Sequence, residues 1–213
     1  MTEQSRVFRD GEGDNWFTRN AAVLTEERRD AVLEMFDRLR PTGAVCELGC
    51  SNGWRLAAIQ RIYPDVTELV GCDVSSEAIA DGRSKWPGLA LSVSPIEDPG
   101  IPGQFDVVIV SYVLCWVGRE QLPLALEEID ALVRPGGILI LSDFLPVRPS
   151  ARRYHHRDDV ELYTFKQDYA APFLAGRKYQ LIENTIFSHD GEPLTSDNRA
   201  HCSALRKTSE PAT

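Results

Sequence analysis

No apolar run in this sequence approaches the roughly 20 residues that a membrane-spanning helix needs, so no membrane partner is expected. There is no C-x-x-C pair, and the five cysteines (Cys46, Cys50, Cys72, Cys115 and Cys202) are an odd number. Both facts argue against a disulfide framework and against a zinc site, and no metal is expected. An excess of basic charge is missing too: 23 Lys and Arg stand against 32 Asp and Glu, for a formal net charge of −9. Binding phosphates requires a basic face, so no nucleic-acid partner is expected. The start, Met1-Thr2-Glu3-Gln4-Ser5-Arg6, carries no apolar signal core, which predicts a cytoplasmic protein. The G-x-G-x-x-G spacing of a dinucleotide turn is lacking as well.

What is present is enough for one well-buried domain with an inserted cap: 213 residues, 43% of them hydrophobic. Residues 1–20 are polar with a few aromatics, and Gly11-Glu12-Gly13-Asp14-Asn15 reads as a loop. Thr25 offers an N-cap, and Val32, Leu33, Met35, Phe36 and Leu39 follow helical spacing up to Pro41-Thr42-Gly43. Ala44-Val45-Cys46 is a first strand, and a helix runs from Trp54 to about Tyr63. Glu68 to Asp73 is a second strand, followed by a helix capped by Ser75 or Ser76. Leu89 to Val93 is a third strand. Phe105 to Val110 is apolar on both faces and therefore central. A helix near Arg119 to Val133 and a fifth strand from Ile138 to Asp143 follow.

This alternation predicts an α/β fold, a doubly wound Rossmann-like sheet, mostly parallel, with helices on both faces. Tyr179 to Glu183 and Ala200 to Leu205 read as a late antiparallel hairpin at one edge, and the tail from Thr208 as frayed. The chain thus divides into an N-terminal lid and helix (1–40), a cofactor-binding core (41–143), an inserted substrate cap (144–177) and the late hairpin (178–207). Most of the cysteines lie in or beside strands and read as small buried hydrophobes. Cys50 is the exception, placed to line a ligand pocket.

The stretch Glu47-Leu48-Gly49-Cys50-Ser51-Asn52-Gly53 joins strand to helix by a glycine turn, a geometry that brings backbone N–H groups close to a ligand. A carboxylate two positions before the first glycine suits a ligand bearing an ammonium and a sulfonium better than a phosphate. Together with Gly71-Cys72-Asp73, Phe105 to Val117 and Leu132-Val133-Arg134-Pro135-Gly136-Gly137, this stretch resembles the class I S-adenosylmethionine-dependent methyltransferases over roughly residues 40 to 145.

The resemblance implies S-adenosyl-L-methionine as cofactor and S-adenosyl-L-homocysteine as product. It implies that Glu47, Gly49, Cys50, Ser51, Asn52 and Gly53 wrap the methionine part, and that Asp73, with Val74 beside it, accepts hydrogen bonds from the ribose hydroxyls. Ser94 and the Ile96 backbone would hold adenine, since Pro95 stands where an acidic residue is common. Ser111 and Tyr112 would lie beside the methionine moiety, while Trp116 and Asp106 are expected to be structural. Trp16 and Arg19 are expected in a lid, with Arg19 on the cofactor carboxylate.

The expected reaction moves a methyl group to a hydroxyl or amine of a small-molecule acceptor. The alternatives are a nicotinamide-dependent oxidoreductase on a similar fold and a cofactor-binding module without chemistry. Asp143 ends a strand on the side where parallel sheets bind ligands, which makes it a candidate substrate contact. The cap holds Arg152, Arg153, Tyr154 and Arg157 as candidates for the acceptor's anionic group. His155 or His156 is the candidate base.

Overall fold

The structure is a computed structural model and describes residues 3–209; residues 210–213 of the tail expected to fray lie outside them. The strands are β1 (Gly43–Leu48), β2 (Val66–Asp73), β3 (Ala90–Val93), β4 (Phe105–Ser111), β5 (Val133–Phe144), β6 (Ser150–Arg153), β7 (Tyr163–Lys166), β8 (Tyr179–Ser188) and β9 (Arg199–Lys207). The helices are α1 (Glu3–Val7), α2 (Gly13–Asn20), α3 (Ala31–Leu39), α4 (Trp54–Ile62), α5 (Ser76–Lys85), α6 (Leu122–Leu132) and α7 (Ala171–Ala175). Seven strands form one sheet in the order β3-β2-β1-β4-β5-β9-β8, and β6 pairs with β7 in a separate hairpin. β1 to β5 are parallel, and β9 runs antiparallel between β5 and β8.

The order of apolar side chains along β4 explains its central place. Val107 and Ile109 join one core with α3, α4 and α5, while Val108 and Val110 join the other with α6 and α7. A strand apolar on both faces has its lowest energy between two helix layers. Strand order reverses between β1 and β4, so the carboxyl ends of these two strands flank the crevice where open α/β sheets take ligands.

Four local expectations need correcting. Helix α3 is capped by Asp30, not Thr25: the Asp30 backbone is extended and its carboxylate accepts the Leu33 N–H at 3.0 Å. The stretch from Gly11 to Asn15 is no open loop. Gly11 takes a φ of 135° that only glycine adopts cheaply, kinking the chain by one wide helical turn before α2 continues to Asn20. β5 begins at Val133, opposite Phe105, rather than at Ile138. The cap contains the β6–β7 hairpin, whose strands lack the apolar alternation by which a strand is read from sequence. The late hairpin is present, and β8 extends to Ser188.

Candidate functional site

The turn after β1 is shaped by its glycines. Gly49 (φ 72°), Ser51 (φ 53°) and Gly53 (φ 80°) all stand in left-handed conformations. A Cβ on Gly49 would fall 2.1 Å from the Val113 side chain. The Gly49 and Cys50 N–H groups both donate to the Cys72 carbonyl, at 2.8 and 2.9 Å, which fastens the turn to the end of β2. There Asp73 accepts the Ser51 N–H at 2.8 Å and the Ser75 N–H at 2.9 Å. Burial outweighs these two donors and holds its carboxyl above the usual carboxylate range.

A cavity of about 770 Å³ opens beside this turn, within the roughly 300–1,000 Å³ typical of ligand pockets. Trp16, Gly49, Cys50, Ser51, Asp73, Val74, Ser94, Ile96, Ser111 and Tyr112 all line it. The Ser51 hydroxyl and the Tyr112 hydroxyl are buried without a hydrogen-bond partner, so the wall carries polar capacity that a bound molecule can use. Ser94 Oγ donates to the Pro99 carbonyl at 2.9 Å.

Other expected contacts lie elsewhere. Glu47 is fully buried and ion-paired with Arg55, and it does not reach the cavity. Asn52 donates to the Leu24 carbonyl and to Asp81, so it braces the turn from behind. Gly53 serves as the N-cap of α4. Arg19 points away, donating to Glu12 at 2.6 Å and to the Tyr154 hydroxyl at 2.7 Å. Arg28 is one of the cavity-wall arginines that sequence reasoning missed, with Arg9 and Arg55. It sits 5.3 Å over the Trp54 ring and has no carboxylate within ion-pair distance among the described residues.

Arg55 and Asp30 were missed as well. The Arg55 guanidinium reaches Glu47 on one side and Asp30 at 2.7 Å on the other, and both Arg55 and Asp30 line the cavity. Burial alone would raise the Asp30 pKa, but the Arg55 charge reverses the effect and keeps it lowered. Glu47, Arg55 and Asp30 sum to a charge of −1, and Arg28 nearby also lowers the Asp30 pKa. The carboxylate preceding the glycine turn therefore acts through Arg55 and Asp30 rather than by direct contact.

The N-terminal segment covers the cavity. Gln4 donates to the Trp116 carbonyl at 2.5 Å and to the Tyr163 carbonyl at 2.9 Å. Asp14 accepts from Ser75 Oγ and the Glu77 N–H, which seats the segment on the start of α5. Fully buried Glu12 ties it to the cap through Tyr154. Burial pushes the Glu12 pKa up, but Arg19 and Tyr154 bring it below the usual glutamate value.

A second, outer groove of about 770 Å³ adjoins the first, and its walls include Arg152, Arg153, Tyr154, His155, His156 and Lys166. Here the histidine pair is exposed. Burial, the adjacent His155 and Arg19 lower the His156 pKa. Arg152 is paired with Asp197 and Arg157 with Asp159. Asp143 lines neither space, which corrects its expected role as a substrate contact. It is buried beneath both, accepting the N–H groups of Phe144 at 2.7 Å and Cys115 at 3.2 Å, and burial raises its pKa to about 7.

The imidazole that does face the inner cavity is His189, just past β8. Its ring centroid stands 4.8 Å from that of Tyr112 and 4.9 Å from that of Phe144. Partial burial, with Lys166 and Arg28 nearby, lowers its pKa against the opposing pull of Asp190. No periodicity or motif marks a lone histidine beyond an edge strand; β8 runs in the same direction as β5 with antiparallel β9 between them, which brings the end of β8, and His189 after it, to the carboxyl ends of β4 and β5.

Residues 46–141 match the family model described as a methyltransferase domain. Over 120 residues the chain is 30% identical to ribosomal protein L11 methyltransferase of Geobacter metallireducens, which covers 55% of this chain and 38% of that one. It is 26% identical to carboxy-S-adenosyl-L-methionine synthase of Campylobacter fetus over 180 residues, 83% of this chain and 76% of the other. The chain thus spans less than half the length of the first relative and about three quarters of the second. Among solved structures, 1,6-didemethyltoxoflavin-N1-methyltransferase of Burkholderia thailandensis, bound to 1,6-didemethyltoxoflavin and S-adenosylhomocysteine, superposes with a TM-score of 0.71 at 17% identity, covering 97% of this chain and 89% of that one. Magnesium protoporphyrin IX methyltransferase of Synechocystis, with bound S-adenosylmethionine, gives a TM-score of 0.67 at 16% identity, covering 98% and 99%. At such identities these structures establish the shared fold.

Proposed function

We propose that this chain is a class I S-adenosylmethionine-dependent methyltransferase, a reading supported by the match of residues 46–141 to the methyltransferase-domain model, and that it moves a methyl group from S-adenosylmethionine to a hydroxyl or amine of a small molecule. The observation that carries the reading is Asp73: a carboxylate at the end of β2, fixed by two backbone N–H groups and facing a cavity walled by a glycine turn. Each of its oxygens keeps a lone pair for one of two adjacent ribose hydroxyls. Backbone groups of Gly49 to Ser51 would hold the methionine part, Arg28 its carboxylate, and Ser94 and Ile96 the adenine. The net negative corner of Glu47, Arg55 and Asp30 suits an ammonium and a sulfonium.

The bound cofactor supplies an electrophilic methyl group, so the protein has only to align, dehydrate and deprotonate the acceptor. We assign the proton to His189, whose depressed pKa keeps the imidazole neutral near pH 7. The segment from Glu3 to Asn20 excludes water from above. The acceptor enters by the outer groove, where Arg153, Tyr154, His155 and His156 meet its outer end.

Calorimetric titration with S-adenosylhomocysteine and with NADH tests the reading. Binding of the first alone is expected, and binding of NADH alone would move the chain to the oxidoreductases. Tight S-adenosylhomocysteine binding with no transfer of labelled methyl to any hydroxyl or amine acceptor would leave a binding module.

A further inference from the structure

Five residues line both the inner cavity and the outer groove, and so form the neck between them: Trp16, Asn20, Trp116, Phe144 and His189. Four of the five carry aromatic rings, and no carboxylate, lysine or arginine is among them. Around this neck the rings fall into two stacks in the loose sense of contiguous clusters, their ring pairs tilted or edge-to-face. On the lid side, Phe8 lies 5.6 Å from Trp116, and Trp116 lies 4.9 Å from Tyr154. On the sheet side, Tyr112 lies 5.3 Å from Phe144, and both lie against His189. Among the described residues no ring of one stack pairs with a ring of the other, although Phe8 and Trp116 of the first and all three rings of the second line the inner cavity, Tyr154 lining the outer groove.

Large apolar rings left apart across a passage are an unusual use of aromatic surface, because rings that can meet gain from doing so. Here each stack is held by its own support. The Gln4 and Glu12 hydrogen bonds hold the lid side. On the sheet side Phe144 ends β5, and its ring lies 4.2 Å beneath the Lys166 ammonium. The space between them is therefore a slot walled on both sides by aromatic rings, against which a third ring can pack edge-to-face or offset.

We propose that the methyl acceptor is a planar aromatic molecule, held between the Phe8–Trp116–Tyr154 and Tyr112–Phe144–His189 stacks, with its hydroxyl or ring N–H turned toward His189. This rests on the methyltransferase reading for the reaction, but the slot itself can be tested without it. In the transfer the acceptor's O–H or N–H proton passes to the neutral imidazole nitrogen of His189. The acceptor atom forms its bond to the methyl carbon, and the carbon–sulfur bond breaks with its electron pair going to sulfur. An aliphatic acceptor of equal size would fill the volume but gain nothing from the ring faces, so the slot selects for aromatic planarity.

The test uses 2-naphthol and its saturated counterpart decahydro-2-naphthol, which keeps the hydroxyl and loses the aromatic plane. Binding to the full chain is followed by tryptophan fluorescence and calorimetry, with and without S-adenosylhomocysteine. Stacking on two ring walls predicts that 2-naphthol binds at least fivefold tighter than the saturated alcohol. It also predicts that Trp116→Leu removes most of this preference. His189→Leu, on the opposite wall, should do the same and serves as the second variant should Trp116→Leu fail to fold. Equal affinity of the two alcohols, absence of binding by either, or a preference that survives in a folded variant of either wall would overturn the proposal. The S-adenosylhomocysteine titration reports separately on the cofactor reading, since the naphthol preference is measured in its absence as well.

Discussion

The Tyr154 hydroxyl donates to the Glu12 carboxylate at 2.8 Å, joining the N-terminal segment to the cap across 142 residues of chain. Arg19 reaches the same carboxylate oxygen and the same hydroxyl, so the three groups form one part-buried clasp between the segment and the cap. Glu12→Gln removes the charge that both partners share. A hydrogen bond to a charged group contributes about 1.5–3 kcal/mol, so the segment should open more often. Hydrogen exchange of residues 3–20 should then rise by roughly ten- to a hundredfold while β4 and β5 keep their protection. Unchanged exchange would show that Gln4 and Asp14 close the lid without the clasp.

Arg55→Met should destabilise the protein sharply. It leaves Glu47 and Asp30 as carboxylates without their shared cation, Glu47 fully buried. Breaking a buried pair on one side costs about 3–5 kcal/mol. Urea unfolding should show a loss of that size, and the double variant Glu47→Gln with Arg55→Met should recover part of it. A loss below about 1 kcal/mol would mean that water reaches the pair.

Asp143 gives stability a pH dependence of a definite sign. Its folded pKa, about 7, lies above the ordinary aspartate value of 3.8. Between these values the native state holds a proton that the unfolded state has released. Stability therefore falls as pH rises through this window and levels off above about 7. The drop attributable to this residue is on the order of a few kcal/mol. Asp143→Asn should flatten the slope between about pH 4 and 7 in urea titrations. The same slope in the variant would assign it to other groups.

His189→Ala should lower kcat by about 10²–10⁴-fold at saturating cofactor, once an acceptor is in hand. S-adenosylhomocysteine affinity should stay within twofold. Because burial and nearby cations lower the His189 pKa, the acid limb of the kcat profile should lie below the free imidazole value and vanish in the variant. A wild-type profile in His189→Ala would return the base role to His155 or His156.

The sheet was legible because β1 and β2 announce themselves by apolar runs ending in a glycine turn or an acid, as at Glu47 to Gly53 and at Asp73, and β4 by a run apolar on both faces. The late hairpin was legible from the same kind of pattern. What escaped was whatever depends on approach between distant segments. Arg28 and Arg19 are both exposed arginines near the lid in sequence, and only the kink at Gly11 and the clasp on Glu12 decide which of them faces the cavity. His189 escaped for the same reason, since its place is set by the β8–β9 return rather than by its neighbours. Glu47 was expected to contact the ligand directly, but it is buried away from the cavity against Arg55 in the first turn of α4, and sequence alone does not orient the side chain of Arg55.

The central claim is that Asp73 holds the ribose of S-adenosylmethionine, and calorimetric titration of S-adenosylhomocysteine into wild type and Asp73→Ala tests it most directly. Losing a charged acceptor for two hydroxyls should cost about 1.5–3 kcal/mol, which is at least tenfold in Kd. Asp73 also accepts the Ser51 and Ser75 N–H groups. Circular dichroism and a thermal melt must therefore show the variant folded, and Asp73→Asn, which keeps one acceptor oxygen, should fall between the two. A folded Asp73→Ala protein that binds S-adenosylhomocysteine with wild-type affinity would contradict the account.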